Sequence, residues 1–240
     1  MTVTPDGYMP EVDSTSDEIR RRLAAGHPTA VPMRVWTTVQ TSGHGQRGRT
    51  WRAPPGNLSA SWWLPGPPRD AWTTHRAGLV VLAAAARLGV ELEDCGLKWV
   101  NDLVHVPAEG APGKWGGILA ESPGPAGIIL GIGLNLVPPE WPEATWVGAF
   151  SSCLPPAISW MEALQAEMAV PRTTEQVRED YAKACRTLGR QGTWLCPDGT
   201  TREGTFSALL EDGSLCMQDH AGRQHTIRSG QVRGLADRYM

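Results

Sequence analysis

The sequence contains no hydrophobic run approaching the ~20 residues that a membrane-spanning helix needs. Its first residues carry neither the basic segment nor the apolar segment of a signal peptide. No C-x-x-C pair occurs, and the five cysteines are odd in number and far apart. The six histidines lack the spacing of metal ligands. We therefore expect no membrane, no disulfide framework and no protein-held metal, but reduced thiols in a cytoplasmic protein.

A strong charge of either sign is also missing, because the formal net charge is only -3 over 240 residues. That balance gives no basic footprint for binding nucleic acid. The P-loop pattern G-x-x-x-x-G-K-[ST] is absent, so any nucleotide must be held by a different scaffold. The length of 240 residues is enough for one large domain or for one domain with a small appendage, and 41% hydrophobic residues can build a core.

The most informative stretch is residues 40–51, called the glycine loop below, which reads Gln40-Thr-Ser-Gly43-His44-Gly45-Gln46-Arg47-Gly48-Arg49-Thr-Trp51. Glycine lets a ligand approach main-chain N–H groups, and arginine adds fixed positive charge, so the loop suits a phosphate or a carboxylate. The loop contains G-x-G-x-x-G, but a dinucleotide site needs a helix to start within that motif. Here Pro54, Pro55 and Gly56 follow, and they cannot continue a helix.

Residue patterns predict an α+β chain. A loose tail over residues 1–10 precedes a helix to about residue 25, capped by Ser14 or Thr15, with the other hydroxyl facing a polar ligand. A buried helix is predicted at 74–89, and strands are predicted at 31–41, 57–64, 97–106, 114–121 and 126–136. Capping boxes at Ser159 and Thr173 predict two more helices, the second running to about residue 188. Residues 192–240 are typical of a small β-barrel, with a hairpin over 203–217 and one strand over 224–232.

Polar positions within two apolar strands suggest ligand contacts. Lys98 lies between Leu97 and Trp99, and lysine is rarely buried without a partner. We therefore favour a ligand-facing cation over a charge on an edge strand. Gly131 and Gly133 shortly precede Asn135, and glycines within a strand indicate close approach of a backbone or a ligand.

Taken in order, these motifs resemble those of the biotin protein ligases, also called biotin–[acetyl-CoA-carboxylase] ligases. They span residues 12–136 and read Ser14-Thr15, Gln40…Gly43-x-Gly45-x-Arg47-Gly48-Arg49-x-Trp51, Pro54-x-Gly56-Asn57-Leu58, Lys98-Trp99-x-Asn101-Asp102, Lys114-x-x-Gly117-Ile118-Leu119-x-Glu121 and Gly131-Ile-Gly133-x-Asn135. Each motif is weak alone, but their shared order is specific. Only 13 residues precede Ser14, so we expect the monofunctional class without a DNA-binding domain.

The resemblance implies a catalytic domain with a mixed β-sheet flanked by helices over residues 1–190, and a small SH3-like β-barrel over residues 191–240. It implies that biotin is activated with ATP and Mg²⁺ as biotinyl-5′-adenylate and transferred to a lysine of a biotin carboxyl carrier protein or domain. It is compatible with a homodimer. The alternatives are a ligase of the same fold for another carboxylic acid, such as lipoate, and a weakly active homologue that binds biotin or the adenylate.

The resemblance also implies roles for individual residues. Contacts to biotin fall on Ser14, Thr15, Gln40, Gly43, His44, Gly45, Lys98, Gly117, Gly131 and Gly133. Contacts to ATP or the adenylate fall on Gln46, Arg47, Arg49, Trp51, Lys98 and Asn135. Lys98 is implied to bridge the carboxylate and the α-phosphate, with Arg49 beside the phosphates as the second catalytic residue. We find no nucleophile–base pair that would indicate a covalent enzyme intermediate.

The glycine loop departs from the family pattern at two positions. The family has Gly-Arg-Gly-Arg where this chain has Gly43-His44-Gly45-Gln46. Cationic donors make stronger hydrogen bonds to anions than neutral donors do. We predict that His44→Arg with Gln46→Arg slows adenylate release by about 5- to 30-fold, the scale of one such contact. Stopped-flow dissociation measures this, and an unchanged rate would show that Arg47 and Arg49 already hold the adenylate.

Overall fold

The structure is a computed structural model that describes residues 7–66, 71–142 and 144–234. Within these ranges the helices are α1 Thr15–Ala24, α2 Thr73–Arg87, α3 Ala157–Met168 and α4 Thr174–Ala184. The strands of the first 142 residues are β1 Met33–Thr37, β2 Gly43–His44, β3 Thr50–Trp51, β4 Leu58–Pro65, β5 Cys95–Lys98, β6 Asp102–His105, β7 Gly113–Gly124 and β8 Gly127–Leu134. The later strands are β9 Gln191–Leu195, β10 Thr201–Leu209, β11 Leu215–Asp219, β12 Gln224–Ile227 and β13 Gln231–Gly234. No helix in the described ranges combines the length and apolar character that crossing a membrane requires.

Two sheets organise these strands. The main sheet has the order β1-β4-β8-β7-β6-β5 with antiparallel neighbours. Isolated parallel bridges, Tyr8–Trp36 and Leu97–Cys185, add the other pairing direction at its two edges. The C-terminal sheet is antiparallel in the order β12-β11-β10-β9-β13. This arrangement confirms the predicted α+β class, with a helix-flanked sheet followed by a small β segment.

The main sheet is covered on both faces because successive residues of a strand point to opposite sides. On one face, Val35, Trp63 and Ile129 pack with Ile19 of α1. On the other face, the alternate residues of the same strands join the larger core with α2, α3 and α4, and they include Trp36, Trp62 and Leu130. Helix α1 covers strands β1, β4 and β8. The smaller of the two functional cavities described below opens beside α1, on the same side of the sheet.

Tryptophan fills much of the interior of this chain, which has eleven tryptophans and only two phenylalanines. Trp63, Trp115 and Trp160 are among the largest fully buried side chains. Two further indoles join the two sheets: Trp72 donates its Nε1–H to Glu211 O at 2.9 Å, and Trp99 donates to Gly213 O at 3.1 Å. One core therefore continues from the main sheet into the C-terminal sheet. The division at residue 190 remains a prediction.

Several local predictions differ from the structure. The predicted strand 97–106 is two antiparallel strands, β5 and β6, in which Lys98 pairs with Asp102 around a tight turn. The predicted strand 224–232 is likewise divided between β12 and β13, on opposite edges of the C-terminal sheet. Of the predicted tail, residues 1–6 lie outside the described ranges, whereas Met9 is buried and donates its N–H to Trp36 O. These differences arise because tertiary contacts decide where a strand bends.

Helix α4 begins where its capping box predicts, whereas α3 begins earlier than predicted. Thr173 and Gln176 form the expected capping box of α4, although that helix ends at Ala184 rather than near residue 188. The capping box at Ser159 is wrong, because α3 begins at Ala157 after Pro156, which makes no side-chain cap. Proline has a fixed φ that suits the residue before a helix, so the backbone turns into α3 before it reaches Ser159.

Candidate functional site

Two adjoining cavities flank the glycine loop. The smaller has a volume of about 160 Å³ and lies between α1 and strands β4, β7 and β8. The larger has a volume of about 620 Å³ and lies between the main sheet and the C-terminal sheet. The cavities share part of their walls, formed by Gln46, Arg49, Thr50, Trp51, Asn101 and Lys114. A small ligand in one cavity therefore meets a ligand in the other at this junction.

Hydroxyl groups line one end of the smaller cavity. Thr15 donates its N–H to Gln40 Oε1 at 3.0 Å, and its hydroxyl lies 3.3 Å from the same oxygen. Ser61 Oγ lies 2.7 Å from the Thr15 hydroxyl and 2.9 Å from Ser16 Oγ. Since an amide oxygen only accepts, the Thr15 hydroxyl donates to Gln40, Ser61 donates to Thr15, and Ser16 donates to Ser61. The chain of hydroxyls has one consistent direction and presents an ordered polar surface.

Beside this polar end, the cavity wall is made of small and apolar residues. A Cβ on Gly131 would lie 3.4 Å from Ser16 Oγ and 3.6 Å from Ser61 Oγ, so a larger residue there would fill the polar end. Leu119 and the ring of Trp51 provide apolar surface in the wall. The smaller cavity therefore suits a compact molecule that has a hydrogen-bonding head and an apolar body.

The glycine loop is a short hairpin in which β2 pairs with β3. Trp51, at its end, lies against β7 and β8 at positions that have no side chain. A Cβ on Gly133 would lie 2.5 Å from Cε2 of Trp51, and one on Gly117 would lie 3.2 Å from Cζ3. Because real contacts of this kind are longer, only glycine at position 133 allows the indole to lie in this place. Trp51 thereby becomes part of both cavity walls.

The larger cavity is strongly cationic. Among the described residues that line it, five carry positive charge and one carries a carboxylate, namely Arg47, Arg49, Arg52, Lys98 and Lys114 against Asp102. A surface lined in this way favours a polyanion such as a polyphosphate. Arg52 lies over the ring of Trp141, 6.0 Å from its centroid, so one of these cations is held by an aromatic ring.

Lys114 lies at the junction of the two cavities. Its Nζ is 2.5 Å from Asp102 Oδ1 and 5.4 Å from the centroid of the Trp51 ring. Burial opposes ionisation of the Asp102 carboxyl, but the nearby cations Lys114 and Lys98 outweigh it, and the pKa of Asp102 is lowered. Asp102 is therefore ionised and fixes the Lys114 ammonium in place.

Asn135 lines the larger cavity, at a buried position after β8. Its Nδ2 donates to Lys114 O at 3.2 Å and to Thr145 O at 3.0 Å. Its Oδ1 is buried and has no hydrogen-bond partner among the described residues. A buried acceptor without a partner is costly, so this oxygen is suited to a donor on a ligand.

The structure gathers nearly all predicted site residues around these cavities. Every predicted nucleotide contact lines the larger cavity: Gln46, Arg47, Arg49, Trp51, Lys98 and Asn135. Most predicted biotin contacts line the smaller one: Ser14, Thr15, Gln40, His44, Gly45, Gly117, Gly131 and Gly133. Gly43 instead provides room for neighbours, since a Cβ there would clash with Gln40 Nε2 and Trp51 O. Lys98 lines the larger cavity but is not among the described residues of the smaller one.

Sequence reasoning missed several lining residues. Ser59 and Ser61 sit two apart on β4 and so face one side of the sheet, a spacing that the sequence displays. Lys114 stands within a motif, but nothing in its neighbourhood along the chain indicates its pairing with Asp102. Gly230, Gln231 and Val232 reach the larger cavity only because the C-terminal sheet packs over it.

The comparisons with known proteins agree with this architecture. The model of the Biotin/lipoate A/B protein ligase family matches residues 13–135, just over half of the chain. The match confirms the family resemblance drawn from the motifs, and the chain belongs to that family. No curated protein sequence matches this chain.

Solved structures of similar fold include biotin protein ligases. The enzyme from Aquifex aeolicus, in complex with biotin and ATP, is 22% identical with a TM-score of 0.73, and the match covers 95% of this chain and 97% of that one. The Leishmania major enzyme with biotin is 24% identical with a TM-score of 0.63, covering 94% and 99%. The biotin acetyl coenzyme A carboxylase synthetase from Helicobacter pylori is 20% identical with a TM-score of 0.70, covering 91% and 97%.

The packing of Trp51 on Gly133 gives a stability prediction. Gly133→Ala introduces a Cβ where the indole lies, so we expect a loss of about 1–3 kcal/mol in the free energy of unfolding, as overpacking typically costs. Urea denaturation measures it. Gly124→Ala, in a strand position with open space around it, is the matched control and should change stability by less than ~0.5 kcal/mol. Equal stability of the two variants would contradict the proposed contact.

Proposed function

We propose that this protein activates biotin with ATP as biotinyl-5′-adenylate and then transfers biotin to a lysine of a biotin carboxyl carrier domain. One observation supports this most directly: a polar-ended cavity and a cation-lined cavity share a wall that contains Lys114, Arg49 and Trp51. Such an arrangement brings the carboxylate of a small acid next to the α-phosphate of a nucleotide. Membership of the biotin/lipoate ligase family supports the same reaction class.

The polar end of the smaller cavity favours biotin over lipoate. The ureido ring of biotin has two N–H donors, which match the lone pairs that stay open on the hydroxyls of Thr15, Ser16 and Ser61, and a carbonyl acceptor, which needs a further donor. Ser59 Oγ, in the same wall, is buried and has no partner among the described residues. The dithiolane ring of lipoate has no N–H to use these acceptors and would leave the Ser59 hydroxyl unpaired, at a cost of about 1–3 kcal/mol. This cost is the physical reason for choosing biotin.

The adenylation step needs cations between two anions. A carboxylate that attacks the α-phosphate is repelled by it, and fixed positive charge both removes that repulsion and stabilises the transition state. Lys114 lies where both substrates would meet, and Arg49 shares that wall. Lys98, which the motifs suggested for the bridging role, lines only the nucleotide side among the described walls. We therefore assign the bridging role to Lys114 and a phosphate-binding role to Lys98.

The remaining residues of the larger cavity suit the nucleotide. The buried Asn135 Oδ1 is positioned to accept a hydrogen bond from the adenine amino group, and the arginines face the phosphates. No group of three or more His, Cys, Asp or Glu side chains in the described ranges is arranged to hold a metal. Mg²⁺ would therefore enter on the phosphates of ATP, which suits an ion that keeps few protein ligands. When bound, it would neutralise phosphate charge.

The second step uses a nucleophile from outside this chain. The acceptor lysine of a biotin carboxyl carrier domain would attack the mixed anhydride, and AMP would leave with the electron pair of the broken bond. The similar Helicobacter pylori protein is named a biotin acetyl coenzyme A carboxylase synthetase, which supports a carboxylase as the partner here. We place the reaction in the cytoplasm. A homodimer is compatible with it.

The proposed function is tested by pyrophosphate release. The purified protein is given ATP, Mg²⁺ and one acid at a time from biotin, lipoate and octanoate. We expect release only with biotin, and biotin then appearing on the lysine of an added carrier domain. Release with lipoate or octanoate alone would instead indicate the lipoate-like alternative. Tight biotin binding without release would indicate a binding homologue.

The two lysines give a sharper prediction. Lys114→Met should reduce the adenylation rate by roughly 10²-fold or more, the usual loss when one preorganised charge donor is removed. Lys98→Met should mainly raise the KM for ATP. Single-turnover kinetics with saturating biotin and varied ATP separates the two effects.

A fold control is needed because Lys114→Met leaves the Asp102 carboxylate without its partner. Lys114→Met combined with Asp102→Asn removes the unpaired charge and should restore thermal stability without restoring adenylation. If Lys114→Met adenylates biotin at the wild-type rate while Lys98→Met is slow, the bridging role belongs to Lys98.

A further inference from the structure

Two residues of the glycine loop contact different parts of the molecule. His44 Nε2 lies 2.6 Å from Asp17 Oδ2 on α1. Arg47 donates from Nη2 to Gly230 O, in the turn between β12 and β13, at 2.6 Å. Helix α1 borders the smaller cavity, and the C-terminal sheet borders the larger one. The loop is thus held between the two substrate cavities.

The His44 contact has a defined direction. A carboxylate at neutral pH only accepts hydrogen bonds, so the Nε2 of His44 must carry the proton and donate it to Asp17. Both the neutral ring with a proton on Nε2 and the charged ring satisfy this requirement. The contact fixes the ring plane and, through it, the backbone of β2 on which the loop hairpin is built.

The carboxylate of Asp17 is itself held by Arg20. Its Oδ1 accepts from Arg20 Nη1 at 2.5 Å, and Arg20 Nη2 donates to Glu121 Oε2 on β7 at 2.7 Å. A chain of charged groups therefore runs from the main sheet through α1 to the loop. Because Arg20 occupies one oxygen of Asp17, the other oxygen is aimed at His44. The carboxylate is oriented independently of the loop, which lowers the ordering cost of its contact with His44.

We propose that Asp17 is a positioning residue for ligation: through His44 it holds the glycine loop over the smaller cavity, while Arg47 ties the loop to the C-terminal sheet. The role of Asp17 in ligation rests on the proposed function, whereas the contact between Asp17 and His44 does not. His44, which replaces an arginine of the family pattern, thus connects the loop to α1. The remaining loop arginine at the junction, Arg49, stays available for the phosphates.

Trypsin cleaves after Arg47 and Arg49, so the cleavage rate at these two bonds reports how firmly the loop is held. We expect Asp17→Ala to speed cleavage at these two bonds by about 5-fold, the scale of a charge-assisted hydrogen bond at an exposed site. Mass spectrometry of a digestion time course assigns the sites. Glu18→Ala is the matched control, since it removes the same charge from the same helical turn but pairs with Arg21 and Arg22, not with the loop.

Kinetics provide the second readout. A less populated closed loop weakens apparent affinity in proportion, so Asp17→Ala should raise the KM for biotin by about 5-fold. The kcat should change less than about 2-fold, because bound substrate favours the closed loop. In Asp17→Ala with His44→Ala, the loss should be no greater than in either single variant, as expected for two partners of one contact.

The Arg47 contact is tested with Arg47→Ala, followed at the Arg49–Thr50 bond. Cleavage there should accelerate by a similar factor, while Arg223→Ala, which removes an exposed arginine paired with Asp219 on the C-terminal sheet, should leave it unchanged. Equal cleavage rates of Asp17→Ala and Glu18→Ala would overturn the proposal, whatever their activity. Absent biotin-dependent turnover in the wild-type protein would overturn the proposed function while the cleavage test still decides the contact.

Discussion

The structure of the site depends on a close contact between one indole and a surface without side chains. Trp51 lies where a Cβ at Gly133 would be 2.5 Å from its ring, so the glycine is a steric requirement for this arrangement. The indole ends the loop hairpin, walls both cavities and lies under the ammonium of Lys114. Loop, sheet and junction cation therefore meet at one packing contact.

The charges that line the larger cavity determine which ligand it favours. The larger cavity is lined by five cations and one carboxylate among the described residues, an excess that needs an anionic ligand to balance it. Asp102 is the internal counter-charge, and its pairing with Lys114 holds that ammonium at the meeting point of the cavities. Fixed charge costs no reorganisation during the reaction, which is why such positions are effective in stabilising a transition state.

Much of the fold could be predicted from local patterns. The Ser14 cap of α1 and the Thr173 capping box of α4 depend on residues within one helical turn, and both are present. The apolar segment that forms α2 also carries its stop signal, Gly89, with φ of +77°. The prediction for residues 97–106 failed because distant contacts bend the chain into two strands. The start of α3 was misplaced for a local reason, since Pro156 rather than Ser159 precedes the helix.

The sequence by itself determined the family, the α+β class and most of the residues around the cavities. It could do so because each motif is a short run of neighbouring residues, and the order of the motifs along the chain is specific to the family. Only the tertiary structure decided how these residues divide between two cavities, and that Lys114 rather than Lys98 lies at their junction. Only the structure showed that His44 faces Asp17 and that the C-terminal sheet closes the larger cavity. The physical reason is that such pairs are distant in sequence and meet only when the sheet and helices pack.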